Sequence, residues 1–109
     1  MQTSLPTPLD RYVAAQNAHD IPALVACFSP DGHVYDEGRL HFGPEQIWTW
    51  AQEASTRYGV IMAPLSLTAD GDRAALVSTV SGSFPGSPID LTFHFTLAAG
   101  HIKTLEISQ

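Results

Sequence analysis

The chain has one cysteine in 109 residues, so no internal disulfide can staple it. A lone thiol favours a reducing compartment over a secreted, cross-linked scaffold. Basic residues are also scarce. Five Lys and Arg stand against eleven Asp and Glu, for a net charge of −6, and the five are widely separated. Without a basic stripe to neutralise phosphates, nucleic acid is not an expected partner. No apolar stretch approaches the ~20 residues needed to span a bilayer, so no membrane partner is expected either. The start, MQTSLPTPLD, lacks the basic residues and apolar run of a signal peptide, and a cytoplasmic protein is the expectation. A Gly-rich phosphate loop, an internal repeat and a low-complexity segment are all missing, and no cofactor is implied.

What is present fits one domain over residues 1–109, long enough to bury about two-thirds of the unfolded chain's surface. Thr7-Pro8-Leu9-Asp10 reads as a helix start, with Thr7 as cap and Pro8 in the first turn. Leu9, Tyr12 and Val13 form the apolar stripe of that helix, and Asn17-Ala18-His19-Asp20 breaks it. Asp20 can cap a second, short helix running through Leu24, Val25 and Phe28, which Pro30-Asp31-Gly32 ends. His33 to Asp36 reads as a short strand, Glu37-Gly38 as a turn, and Arg39 to Phe42 as a returning strand. Gly43-Pro44-Glu45 opens the longest helix, with a stripe of Ile47, Trp50, Ala51, Ala54 and Tyr58, and Gly59 as its stop. The periodicity then becomes alternating. A strand from Ile61 to Ala69 turns at Asp70-Gly71-Asp72 into Arg73 to Ser81. After the loop Ser83 to Pro88, Leu91, Phe93, Phe95 and Leu97 alternate with polar residues, and Gly100 leads into a last strand carrying Ile102, Leu105 and Ile107. Helices first and hairpins after them predict an α+β fold: a curved antiparallel sheet closed on one face by helices.

Asp36 shares a strand face with Val34, while His33 and Tyr35 point the other way. If Val34 faces the core, Asp36 lies at the mouth of the space between sheet and helices, where a partly desolvated carboxylate can accept and return a proton. The alternative is a turn aspartate bonded to its own backbone. Tyr12 lies on the inward stripe of the first helix. Its hydroxyl is either a core group bonded to a carbonyl or a donor to a substrate oxygen. His33, Asp36 and His41 are the only plausible metal set, and strand parity opposes it, so no metal is expected. Cys27 lies in the apolar run LVACF, beside no base, and reads as a small buried hydrophobe. Trp50 has core spacing, whereas Trp48 falls off the stripe and belongs at a surface. His94 sits on the polar face of its strand.

The stretch LDRYVAAQNAHDIPALVACFSPDGHVYDEG, followed by GPEQIWTW, resembles the nuclear transport factor 2-like superfamily in its SnoaL-like and ketosteroid isomerase-like branch. Gly43, Ile47 and Trp50 match the family's Gly-x-x-x-Ile-x-x-Trp helix, and Gly100 with Ile102 resembles its closing hairpin. The resemblance implies a cone-shaped, mixed sheet with three N-terminal helices on its concave face. It also implies Asp36 as general base and Tyr12 as oxyanion donor, with Trp50, Phe93, Val34 and Tyr58 lining a site for a small apolar molecule. The late-strand acid of the isomerases does not carry over, because Phe93 or His94 falls near its position and Asp90 lies too early. The implied activity is that of an isomerase or cyclase-like lyase. A non-catalytic ligand-binding or dimerisation module is the alternative, since one scaffold hosts both. A homodimer is expected, paired through the sheet face carrying Thr92, His94 and Thr96.

Overall fold

The computed structural model describes residues 5–109, in the order α1 (Thr7–Ala18), α2 (Ile21–Ala26), β1 (Phe28–Asp36), β2 (Arg39–Phe42), α3 (Gly43–Tyr58), β3 (Ile61–Asp70), β4 (Arg73–Ser81), β5 (Ile89–Ala98) and β6 (His101–Ser108). The six strands form one curved sheet in the order β2-β1-β6-β5-β4-β3, and three helices pack on its concave face. Every neighbouring pair is antiparallel except β1 and β6, which run parallel, so the sheet is mixed.

One continuous core lies between the layers. Leu9, Tyr12, Ala15 and Leu24 come from the helical layer with Ile47 and Ala51 of α3, and Val34, Met62, Leu76, Phe93, Phe95, Ile102 and Leu105 come from the strands. The strands in the middle of the sheet contribute alternate residues, as a sheet buried on one face requires. In β4 these are Ala74, Leu76, Ser78 and Val80.

Two expectations fail at the N-terminal end. The cap of α1 is Pro6, in extended geometry, and Thr7 is already helical with no capping hydrogen bond from its side chain. Pro8, with no N–H, occupies one of the positions a capping oxygen would serve, so a cap side chain has less to satisfy. The second correction concerns Phe28, which does not belong to α2. That helix stops at Ala26, and β1 begins at Phe28, five residues before His33. Phe28 pairs with Ile102, and the register shifts before His33 pairs with Thr104. The turn-like Ser29 to Gly32 is therefore absorbed as a bulge within the strand. Gly32 is required there, because a Cβ at that position would lie 2.9 Å from the Ser29 carbonyl oxygen. The cap at Asp20 is as expected, its carboxylate accepting from the Ala23 N–H at 3.2 Å.

β3 is an edge strand, and α1 covers its open side in an unusual way. The Asn17 side chain accepts from the Met62 N–H at 2.7 Å and donates to the Met62 carbonyl at 2.9 Å. Both backbone groups of Met62 therefore point away from β4, and one side-chain amide stands in for the next strand. This blunts a free edge while tying helix to sheet. Asn17→Ala leaves those two groups without their partners, and should lower unfolding stability by about 2 kcal/mol in denaturant melts.

Candidate functional site

The site is built on the β1–β2 hairpin. Glu37 and Gly38 both adopt left-handed backbone angles, with φ of 53° and 75°. Such a two-residue turn keeps the strand twist and sets Asp36 directly opposite Arg39, and Val34 opposite His41. Val34 and Asp36 thus share the inner face with His41. α3 follows at once, and Gln46 in its first turn reaches back, its side-chain oxygen accepting from the N–H of the N-cap residue Phe42 at 2.7 Å. Packed against β1, this helix carries Trp50 to the strand's end, where the indole Nε1–H donates to Asp36 Oδ2 at 3.1 Å. The His41 ring lies beside the indole, 6.1 Å between centroids.

Tyr12 forms the floor of this region. Its ring is buried among Phe28, Phe93 and Phe95, with centroid distances of 6.2, 6.5 and 5.6 Å. No hydrogen bond joins its hydroxyl to another described residue. Burial pushes the phenol's pKa upward, and the charges of Asp36 and then Cys27 push it further the same way. The phenol therefore stays protonated, a standing donor on the side of the core that feels Asp36. Cys27 is a free buried thiol, pushed up by burial with Arg11 opposing, and it donates to the Ala23 carbonyl at 3.4 Å. A thiol held in that state is a poor nucleophile.

Of the residues singled out in sequence, the structure brings Tyr12, Val34, Asp36, Trp50 and Phe93 to the inner face. Val34 is fully buried and Phe93 nearly so, beneath the Tyr12 ring. Tyr58 lies eight residues beyond Trp50, about 12 Å along the helix, with its ring edge-on to Phe84 at 5.9 Å. His33 faces the outer side, stacked on Phe42 at 6.0 Å, which separates it from Asp36 as strand parity predicted. No cluster of three metal-ligating side chains occurs among the described residues. The inner-face positions of two residues, Ser78 and His41, were not read from the sequence. Ser78 is completely buried, and its hydroxyl finds no partner among the described residues; the alternation of β4 could have placed it. The place of His41 follows from pairing it with Val34 across a two-residue turn.

The outer face of the sheet differs in character. An open groove of about 470 Å³ crosses its middle, lined by Thr68, Arg73, His94, Thr96, Thr104 and Glu106. Toward the β2 edge, Tyr35, Leu40 and Phe42 are 44, 55 and 54% exposed on this same face.

The Tyr12 phenol makes stability depend on alkaline pH. Above its ordinary value of about 10 the unfolded chain loses the proton while the folded chain keeps it, so stability falls as pH rises. Denaturant melts should show Tyr12→Phe within about 1 kcal/mol of the parent near neutrality, since no hydrogen bond is lost. Above about pH 10 the variant should lose less stability than the parent, by about 1.4 kcal/mol per pH unit.

Known proteins with this architecture agree with the geometry. The sequence profile of the SnoaL-like domain matches residues 9–105. A protein from Sinorhizobium meliloti named a putative polyketide cyclase is 41% identical, with 95% of each chain covered and a TM-score of 0.92. A Catenulispora acidiphila protein with a ketosteroid isomerase-like fold, solved with trimethylamine, is 19% identical, covering 97% of this chain and 87% of its own, with a TM-score of 0.86. A nuclear transport factor 2-like protein of unknown function from Cytophaga hutchinsonii is 16% identical over 98 and 92% of the two chains, with a TM-score of 0.78. No curated protein matches the sequence. Profile and fold coincide: the chain, which has the nuclear transport factor 2-like fold, belongs to the SnoaL-like domain family.

Proposed function

We propose that this chain is a small-ligand-binding domain that holds a compact, mostly apolar molecule on the inner face, with Tyr12 and Asp36 as its polar contacts. The carrying observation is the Tyr12 phenol, held protonated on the inner face by burial and by the charge of Asp36. A phenol kept protonated can donate its O–H to a ligand oxygen. Asp36 supports the same reading, since Trp50 engages one carboxylate oxygen and leaves the other able to accept. The rings of Phe28, Phe93 and Phe95 make the surroundings of the phenol apolar, which suits an apolar ligand body.

A second reading is acid–base catalysis, with Asp36 moving a proton and Tyr12 bonding an enolate oxygen, as in an isomerase or lyase. It is favoured by the 41% identical relative named as a polyketide cyclase. Ligand holding ranks first because Asp36 is already tied to Trp50.

2-Tetralone, an apolar ketone with exchangeable α-protons, separates the two. Binding should change the tryptophan fluorescence, Tyr12→Phe should weaken it about tenfold, and deuterium should enter the ketone no faster than in buffer. Exchange accelerated by the chain, and slowed about 10²–10⁴-fold in Asp36→Asn, would establish catalysis instead. Absence of any binding would refute the ligand site.

Self-association is the second part of this proposal. The outer face carries Tyr35, Leu40 and Phe42 exposed beside Thr92, His94 and Thr96. Six strands about 4.8 Å apart make a face on the order of 700 Å², close to the ~800 Å² per partner of a stable interface. Light scattering should give twice the chain mass of 11.8 kDa, and the pair of changes Leu40→Glu and Phe42→Glu should return a monomer. A monomer mass for the parent at micromolar concentration would contradict it.

A further inference from the structure

We propose that Trp50 is a positioning residue: it pins Asp36 through Oδ2, so that the site presents a single carboxylate oxygen, Oδ1, and selects ligands that offer one donor. This rests on the ligand-site reading and gives it a chemical class. The favoured ligand has one hydroxyl, such as a phenol or enol, on an apolar body. Bidentate cations are disfavoured.

A carboxylate at a strand end is free to turn, because its terminal torsion is broad. Here the turning is opposed from outside the strand. The indole Nε1–H meets Oδ2 at 3.1 Å, and the indole is itself carried on a sixteen-residue helix packed against β1. The half-buried ring has the His41 imidazole beside it, 6.1 Å away. No cation performs this task. Arg39 sits opposite Asp36 in the hairpin, yet no ion pair joins the two among the described residues. The neutral N–H thus fixes the group without cancelling its charge, and takes one of the acceptor positions on Oδ2 that a two-donor ligand would compete for. Amidinium and guanidinium groups bind carboxylates through two parallel N–H bonds and require both oxygens. A lone hydroxyl requires one. The other tryptophan does not compete for this role, because the Trp48 indole donates to Gln52 on the same exposed helix face at 3.1 Å.

Two measurements test this, the first without any ligand. In a Trp48→Phe background the remaining indole N–H gives one cross-peak in an ¹H–¹⁵N spectrum. Asp36→Ala should move that peak and speed its exchange with solvent; an unmoved peak overturns the pinning. The second measurement compares dissociation constants for 2-naphthol and benzamidine. The parent should prefer 2-naphthol, and Trp50→Phe, which keeps a ring but loses the donor, should narrow that preference by about tenfold. A merely structural role would weaken both probes alike, so an unchanged preference in a variant that still melts cooperatively overturns the selectivity. If neither probe binds the parent while the indole peak still depends on Asp36, the ligand site and its selectivity fail and the pinning stands.

Discussion

The contact on which this structure depends is the seating of the Tyr12 ring among Phe28, Phe93 and Phe95. One side chain on α1 thereby touches β1 and β5, strands that are not neighbours, and fixes the height of the helical layer above the sheet. Aromatic edges meeting at 74–75° with Phe28 and Phe95 give that seat a preferred geometry as well as buried area. Asn17, about a turn further along the same helix, then grips the backbone of Met62. The helix is held at two points by different chemistry: apolar toward the sheet's middle, polar at its edge. That arrangement leaves the phenol's polar tip inside, where water does not solvate it freely.

Strand alternation divides the protein into two surfaces with separate uses. A step of one residue along β1 passes from His33, stacked outside on Phe42, to Val34 in the core, then to exposed Tyr35 and inward Asp36. Chemistry that feels the core collects on the even-numbered positions of this hairpin's first strand and is continued by His41 and Trp50. The odd-numbered positions and their partners Leu40 and Phe42 make a surface with nothing covering it in the single chain. One short hairpin therefore contributes to both the ligand-site reading and the self-association reading without the two competing for residues.

Much of this was legible in the residues. The order of elements, the stop at Gly59, the Asp70-Gly71-Asp72 hairpin and the inward parity of Asp36 all follow from local patterns, because turn residues and periodicity are short-range signals. What was not legible depended on partners distant in sequence. Phe28 looked helical because Leu24, Val25 and Phe28 keep a helical spacing. Its strand conformation comes from Ile102, more than seventy residues on. Thr7 has the chemistry of a cap, but its neighbours Pro6 and Pro8 decide where the helix begins. At the site, Asp36 and Tyr12 were visible as candidates. The indole that engages the carboxylate was visible as a core tryptophan and a site-lining residue but not as the partner of Asp36, since the angle at which α3 crosses β1 sets the bond.

The parallel pairing of β1 with β6 has a consequence for how the molecule comes together. β2 and β1 form one ribbon, while β5, β4 and β3 form another, and only β6 bridges them. The two ribbons can each be assembled from short-range pairings, but the seam between them closes with the strand made last. Until then β1 and β5 both expose open edges, and the aromatic seat of Tyr12 has its two walls unconnected. Such non-local closure slows folding relative to a simple meander. The aromatic seat of Tyr12 and the sheet's integrity are thus completed in one event, so the inner face takes its final form only when the architecture is whole.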